Sequence, residues 1–270
     1  TRRSSDLYIS YMMNRKPVKR IMVVFGTRPE AIKMCPLIKE LKKRKCFEVK
    51  VCVTAQHRQM LDQVLEVFDI IPDYDLNIMR DKQDLFDITI HILQNVKEIL
   101  KKENPDIVLV HGDTTTTFVM SLASFYLRIS VGHVEAGLRT YNLQSPYPEE
   151  FNREAVSIVS DFNFAPTQKA ADNLISEGKD KRSIYITGNT VIDAMRDTVV
   201  KDYHHPILDW VGDSKMIFII AHRRENLGQP MRNMFRAIRR VLDEHKECKA
   251  VYPVHMNPVV RQVADEELKD

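Results

Sequence analysis

After Asp106 the chain runs Ile-Val-Leu-Val without a polar residue, and similar apolar runs recur at residues 20–25, 49–54 and 129–134. A strand with one face in water alternates apolar and polar side chains; one that is apolar throughout must be covered on both faces. Between these runs lie segments with helical spacing. Residues 29–45 carry Ile32, Leu37, Ile38 and Leu41, and residues 57–68 carry Met60, Leu61, Val64, Leu65 and Phe68. Residues 85–103 and 114–127 continue the pattern, the latter despite four threonines, because Asp113 or a threonine can cap its first turn. Strands that alternate with helices and are buried on both faces predict an α/β chain with a parallel sheet. Helices are further expected over residues 152–160 and 169–177, with short strands at 162–165 and 184–187.

Residues 188–212 read as a crossover or interdomain segment, broken at His204-His205-Pro206. A second α/β run follows: strand at 215–221, helix over 230–247, strand at 250–254, then a charged tail. The expected organisation is a disordered or artificial lead over 1–19, a first domain over 20–190, a joining segment over 191–212 and the start of a second domain over 213–270. Met216, Met231 and Met234 fit core spacing in that second run.

The chain has 270 residues, 44% hydrophobic and 29% charged, with a formal charge of +3. That charge is too small to suggest nucleic acid, and runs such as 39–45 read as a solvated helix face. No apolar run approaches the ~20 residues that span a bilayer, and the polar, basic first twenty residues lack a secretory apolar core. The four cysteines show no metal-ligand or C-x-x-C spacing. Cys52 reads as a buried small hydrophobe, and the chain as reduced and cytoplasmic.

In an open α/β sheet, ligands sit at the carboxyl ends of the strands. Four such ends here are charged: Gly26-Thr27-Arg28-Pro29-Glu30, His111-Gly112-Asp113, Glu135 to Arg139, and His222-Arg223-Arg224-Glu225. At the first, Gly26 permits a tight turn, Thr27 can cap and Pro29 suits the first helical position. The helix start then favours an anion, Arg28 can grip phosphate with two parallel hydrogen bonds, and Lys33 follows about one turn later. There is no G-x-G-x-x-G, so a nicotinamide dinucleotide is not indicated. Asp113 ends what should be a central strand, where capping is the commoner role. Glu135 lies between an apolar strand and Ala136-Gly137, so burial is expected to raise its pKa and suit it to acid/base work. Glu149, Glu150 and Arg153 follow Pro146 and Pro148; acids in a first helical turn commonly complement the dipole. His222, beside Arg223 and Arg224, reads as a phosphate or sugar-ring contact, and His255 closes the next strand in the same way. No H-x-x-x-H or H-E-x-x-H occurs, and no metal is expected.

Taken together, the segments GTRPEAIKM, TAQHRQMLDQVL, PDIVLVHGDTTTTF, GHVEAGLRT, SPYPEEFNRE, TGNTVIDA, AHRRENLG and YPVHMNPVVR resemble the non-hydrolysing UDP-N-acetylglucosamine 2-epimerase family, in its bacterial branch. The resemblance runs from about Lys19 to the C-terminal end. It implies two Rossmann-like, doubly wound parallel domains in the GT-B arrangement, with the nucleotide sugar between them and the second domain incomplete in this chain. It also implies interconversion of UDP-N-acetylglucosamine and UDP-N-acetylmannosamine without a cofactor. In that family UDP is eliminated to a 2-acetamidoglucal intermediate and added back after protonation on the other face.

Carried over by motif, Asp113, Glu135 and Glu149 are the acid/base carboxylates and His222 assists departure of UDP. Arg28, Lys33, Arg153, Arg223 and His255 hold substrate. A second UDP-N-acetylglucosamine is implied as activator, on Gln56, His57, Gln59 and Lys82, with Glu149 shared. Lys82 stands where the family usually has arginine, keeping the charge but losing the fork. The resemblance further implies a homodimer, a cytoplasmic location, a role in cell-wall polysaccharide synthesis, and no nucleic-acid or membrane partner. A D-S-G-G-x-x-E-E type segment that binds the uridine diphosphate in the family is absent from these residues, so little or no activity is expected of this stretch by itself. Two other readings stay open: a related glycosyltransferase, whose chemistry would not need the carboxylates of GHVEAGLR and PEEFNR, and a fragment that binds a nucleotide sugar without turnover.

Overall fold

A computed structural model describes residues 18–55, 58–80, 83–221, 226–255 and 257–268, without the side chains of 58 and 59. The chain divides into two compact units between Val199 and Val200, inside the segment expected to join two domains.

The first unit holds seven parallel strands: β1 (Lys19–Phe25), β2 (Phe47–Val53), β3 (Tyr74–Asp75), β4 (Ile107–His111), β5 (Ser130–Val134), β6 (Phe162–Ala165) and β7 (Ile184–Ile186). Their order across the sheet is β3-β2-β1-β4-β5-β6-β7, and every pairing is parallel. The order reverses between β1 and β4, which makes their carboxyl ends the crevice where doubly wound sheets take ligands. The parallel sheet read from the apolar runs, and the Rossmann-like architecture implied by the resemblance, are therefore present in this unit.

β1 shows why the sheet needs two covers. Ile21, Val23 and Phe25 face one core with Met34, Leu37, Ile38 and Leu41 of α1 (Arg28–Lys42). Met22 and Val24 face the other, with Ile88, Ile92, Val96 and Leu100 of α3 (Leu85–Glu103) and Val119 and Met120 of α4 (Thr115–Tyr126). Burying each such side chain stabilises by about 1.5–3 kcal/mol, so both faces of the alternation are used. The four α3 residues recur every fourth position, one stripe of a helix, and Asp84 and Asp87 cap its start reciprocally. The other helices of the unit are α2 (Arg58–Val67), α5 (Glu149–Val159), α6 (Gln168–Ser176) and α7 (Val191–Thr198).

Helices α5 and α7 and the turn residue Gly26 depart from the sequence reading. Helix α5 starts at Glu149 rather than at residue 152, which places Glu149 and Glu150 in its first turn. Helix α7 falls where a joining segment was expected and packs on α1 through buried Ala194. Gly26 owes its identity to space rather than to the turn. A Cβ there would stand 2.1 Å from Thr54 Oγ1 and 2.6 Å from Thr116 Oγ1, two hydroxyls that bond each other at 2.9 Å beneath the β1 loop.

The second unit has α8 (Pro206–Val211), β8 (Lys215–Phe218), α9 (Gln229–Glu244), β9 (Cys248–Val251) and α10 (Pro258–Leu268). Strands β8 and β9 pair in parallel, and α9 packs on α10 through Met231, Phe235, Val260, Val263 and Ala264. The charged tail of the sequence reading is thus helix α10, whose buried residues sit three and four apart. Met231 is core, as its spacing suggested, whereas Met216 is 47% exposed beside exposed Phe218 and Ile220. Cys35 and Cys52 are buried, which pushes both thiols up to about 12. No helix among the described residues is long and apolar enough to cross a membrane.

Candidate active site

The loops after β1, β4 and β5 bring together residues far apart in sequence. Glu135, directly after β5, has φ +65°, a left-handed conformation that a side chain other than glycine adopts at a cost of about 1–3 kcal/mol. Its carboxylate accepts from Lys33 Nζ of α1 at 2.6 Å (Oε1) and 2.8 Å (Oε2). Asn189 Nδ2, from the loop before α7, donates to Oε1 at 2.7 Å, and His111 Nε2 of β4 lies 3.5 Å from Oε2. Burial alone would push Glu135 up; the surrounding His111 ring, Lys33 ammonium and Asn189 amide outweigh it and hold the carboxyl below its usual range. The sequence reading expected a raised pKa here, and the direction is the opposite. Apolar flanks signal burial, but the lysine that compensates arrives from 102 residues away.

Asp113 behaves differently. Thr114 caps α4 by accepting from Thr117 N, which leaves the Asp113 carboxylate free of the capping role that its position suggested. Arg153 Nη2 donates to Asp113 Oδ2 at 2.6 Å, and Arg153 Nη1 donates to Glu150 Oε2 at 2.9 Å. Asn152 Nδ2 fixes the same loop through the Asp113 carbonyl at 2.8 Å. Burial raises the Asp113 pKa, with the Glu149 and Glu135 charges adding to it, against the opposing pull of Arg153. Two carboxyl groups in one crevice are therefore pushed in opposite directions, the arrangement that separates an acid from a base.

Glu150 is fully buried, and its Oε1 accepts from the backbone N–H groups of Thr140 and Tyr141 at 2.6 and 2.7 Å. Replacing Arg153 by lysine keeps one charge but cannot bridge both carboxylates. Arg153→Lys is expected to lower stability by about 1–2 kcal/mol through one lost charge-assisted hydrogen bond and to raise the Asp113 pKa further. A thermal melt and a carboxyl NMR titration check the two effects.

Glu149 sits one residue before this clamp, with Oε2 buried and without a hydrogen-bond partner among the described residues. His111 and His133 are buried side by side at the ends of β4 and β5, and burial brings them down to about 3 and about 4. His133 is thus neutral, and its Nε2–H donates to the Gly112 carbonyl at 2.7 Å. Behind the crevice, Glu30 ties two loops together. Its Oε2 accepts from Gly26 N, Thr27 N and Thr27 Oγ1 at 2.8–3.0 Å, and its Oε1 from Thr114 Oγ1 at 2.8 Å. Among the described residues no group of three or more His, Cys, Asp or Glu is arranged to hold a metal ion.

Of the residues singled out in the sequence, Asp113, Glu135, Glu149, Lys33 and Arg153 lie in this crevice. Lys33 differs from its expected role: it faces Glu135 rather than standing open for an anion. Arg28 is exposed at the first turn of α1. His255 belongs to the second unit, where its Nδ1 accepts from Asn257 N at 3.1 Å. His222, Arg223, Gln56, His57 and Lys82, and the side chain of Gln59, lie outside the described residues. Sequence reasoning missed Asn189 and the second carboxylate on Arg153, Glu150. An Asn after a short strand and before a helix, in Thr187-Gly188-Asn189-Thr190, was the available signal.

A family model described as UDP-N-acetylglucosamine 2-epimerase matches residues 39–270. A UDP-N-acetylglucosamine 2-epimerase of Bacillus subtilis is 59% identical over 251 residues, covering 93% of this chain and 66% of that protein. The chain thus spans just under two thirds of the length of this curated relative. Among solved structures, the S. aureus MnaA complex with UDP superposes with a TM-score of 0.85 at 52% identity, over 93% of this chain and 67% of that one. The Neisseria meningitidis UDP-GlcNAc 2-epimerase bound to UDP-GlcNAc superposes with a TM-score of 0.84 at 48% identity, over 93% and 70%.

Proposed function

Because the chain belongs to the UDP-N-acetylglucosamine 2-epimerase family, we propose that it carries the catalytic crevice of an enzyme interconverting UDP-N-acetylglucosamine and UDP-N-acetylmannosamine. The observation that supports this most is the pair of oppositely perturbed carboxyls, Glu135 and Asp113, set between Lys33 and Arg153 at the β1/β4 switch point.

The proton on sugar carbon 2 is not adjacent to a carbonyl, so it is a poor acid. A carboxylate held below its usual pKa is a weak base and cannot remove that proton from the intact sugar at a useful rate. Departure of UDP from carbon 1 must therefore lead, building oxocarbenium character that acidifies carbon 2. Glu135, kept ionised, then takes the proton, and the C2–H electron pair forms the double bond of 2-acetamidoglucal. In the return step the double bond takes a proton at carbon 2 on its opposite face. UDP then re-forms the bond to carbon 1, and the product is the other epimer. Asp113, whose carboxyl burial pushes above its usual range, is the donor in this reading, and Glu149 lies beside it. Arg28 and Arg153, with His222, Arg223 and His255, are proposed to hold and stabilise the leaving diphosphate.

The same proposal extends to a second UDP-N-acetylglucosamine as activator at Gln56, His57, Gln59 and Lys82, to a homodimer, and to a cytoplasmic role in cell-wall polysaccharide synthesis. A second reading, nucleotide-sugar binding without turnover, draws on the exposed Phe218 and Ile220 of the second unit.

Proton NMR of the protein with UDP-N-acetylglucosamine in deuterated water separates the two. Deuterium at sugar carbon 2, with the mannosamine epimer accumulating, supports turnover. Binding without exchange supports the second reading, and neither binding nor exchange removes both.

A further inference from the structure

Asn189 lies in the TGNTVIDA segment and contacts Glu135, but carries no role among the residues assigned above. Its Oδ1 accepts from Val191 N at 3.0 Å, at the start of α7, and its Nδ2 donates to Glu135 Oε1 at 2.7 Å. The first bond decides the second. A backbone N–H can only donate, so the amide oxygen is committed to Val191 and the NH2 group must face Glu135. The start of α7 thus orients a fixed donor at the carboxylate, and helix packing on α1 carries that orientation to the site.

We infer that Asn189 is a positioning residue that keeps Glu135 ionised and aimed into the crevice, with Lys33 supplying the charge and Asn189 the direction. The inference deepens the epimerase reading and rests on it for its catalytic meaning. Lys33 alone would leave the carboxylate free to rotate about a single ammonium, a point charge with rotatable donors. With Oε1 held by both Lys33 and Asn189, Oε2 takes a single hydrogen bond, from Lys33 at 2.8 Å, while the His111 ring nitrogen stands 3.5 Å away without bonding it. Oε2 is therefore the atom with capacity to accept a proton. The titratable and charged groups around Glu135 are Lys33 of α1, His111 of β4, Asp113 of the following loop and His133 of its own strand. Arg153 and Glu149 of α5 act on Asp113 beside it.

Asn189→Asp is the discriminating variant. It retains an oxygen for Val191 N, so the start of α7 keeps its cap. It also replaces the donor facing Oε1 by a second carboxylate oxygen. Two carboxylates at hydrogen-bond distance retain one proton between them. The side-chain carboxyl carbon of Glu135 can be followed by NMR in the full chain and assigned by its disappearance in Glu135→Gln. In the unsubstituted protein its midpoint is expected below the ordinary glutamate range. In Asn189→Asp it is expected to rise by about one pH unit or more. Asn189→Ser, which can still cap but is too short to reach Glu135, gives a smaller rise of a few tenths of a unit and serves if Asn189→Asp does not fold. A Glu135 midpoint unmoved in whichever of these variants folds overturns the inference. The acid limb of kcat/KM for carbon-2 exchange should move with the carboxyl midpoint in Asn189→Asp. If the unsubstituted protein shows no exchange, the epimerase reading fails while the NMR titration still decides the role of Asn189.

Discussion

Glu135→Gln is expected to lower the rate of deuterium exchange at sugar carbon 2 by about 10²–10⁴-fold, the usual worth of a positioned general base, while leaving the fold intact. A glutamine amide fills the same volume but cannot accept a proton at catalytic strength. Its oxygen can still take one bond from Lys33 or Asn189, whereas its NH2 group, a donor, meets the Lys33 ammonium, which can only donate. The lost ion pair has Lys33 and Glu135 side chains 22% and 13% exposed. Water screens the stranded ammonium, so a stability loss of about 1–2 kcal/mol is expected rather than that of a fully buried pair. The acid side of unfolding should change as well. The folded Glu135 carboxyl titrates below its ordinary value, so its stabilisation is fully present above the unfolded pKa and disappears as pH falls through the folded one. The variant should lack that part of the pH dependence. Single-turnover exchange in deuterated water, with melts across the acid range, reads both effects. Exchange at the unsubstituted rate would remove Glu135 from the chemistry.

That pH effect has a sign which the sequence could not supply. The apolar run before Glu135 and the small residues after it correctly placed a carboxylate at the end of a buried strand. They carried no trace of Lys33 or Asn189, which meet Glu135 only because β1, β4 and β5 are neighbours and α7 packs on α1. Patterns local to one segment were legible: the two-faced burial of β1, the four-residue stripe of α3, the strand-end positions of Asp113 and Glu135. Features set by contacts across the fold were not. Thr114 took the cap that Asp113 was also able to make. The Gly26 backbone proved to be a packing requirement of two threonines, Thr54 just after β2 and Thr116 of α4. Helix α7 was hidden because its larger apolar residues face outward, with Ile192 and Met195 48% and 57% exposed, while its buried side is marked by Asp193 and Ala194. Helix α10 was hidden by its acidic and basic residues, although Val260, Val263 and Ala264 hold the spacing of a buried stripe.

Gly137 is where the fold and the site are most tightly coupled, and Gly137→Ala is expected to cost about 2–6 kcal/mol, combining left-handed backbone strain with overpacking. The residue has φ +86°, and a Cβ would stand 2.2 Å from the Ala170 carbonyl oxygen and 2.8 Å from its carbon. Both are backbone atoms of α6 and cannot rotate away. Asn173 Nδ2 holds the same approach by donating to the Gly137 carbonyl at 2.9 Å. The only relief is to move the loop off α6, and Glu135 lies two residues upstream on that loop. Losses of this size consume a large part of the 5–15 kcal/mol that typically holds a domain together. Gly178→Ala provides the control. Its φ is +84°, but nothing lies within 4 Å of the added Cβ, so it pays backbone strain of about 1–2 kcal/mol and no clash. Urea unfolding followed by far-ultraviolet circular dichroism measures both variants. Trp210, the single tryptophan, lies in the second unit and reports by fluorescence whether that unit is affected. Equal midpoints for the two variants would mean that the close approach of α6 to Gly137 is not what the glycine serves. A much lower midpoint for Gly137→Ala alone assigns the difference to the contact that seats the Glu135 loop.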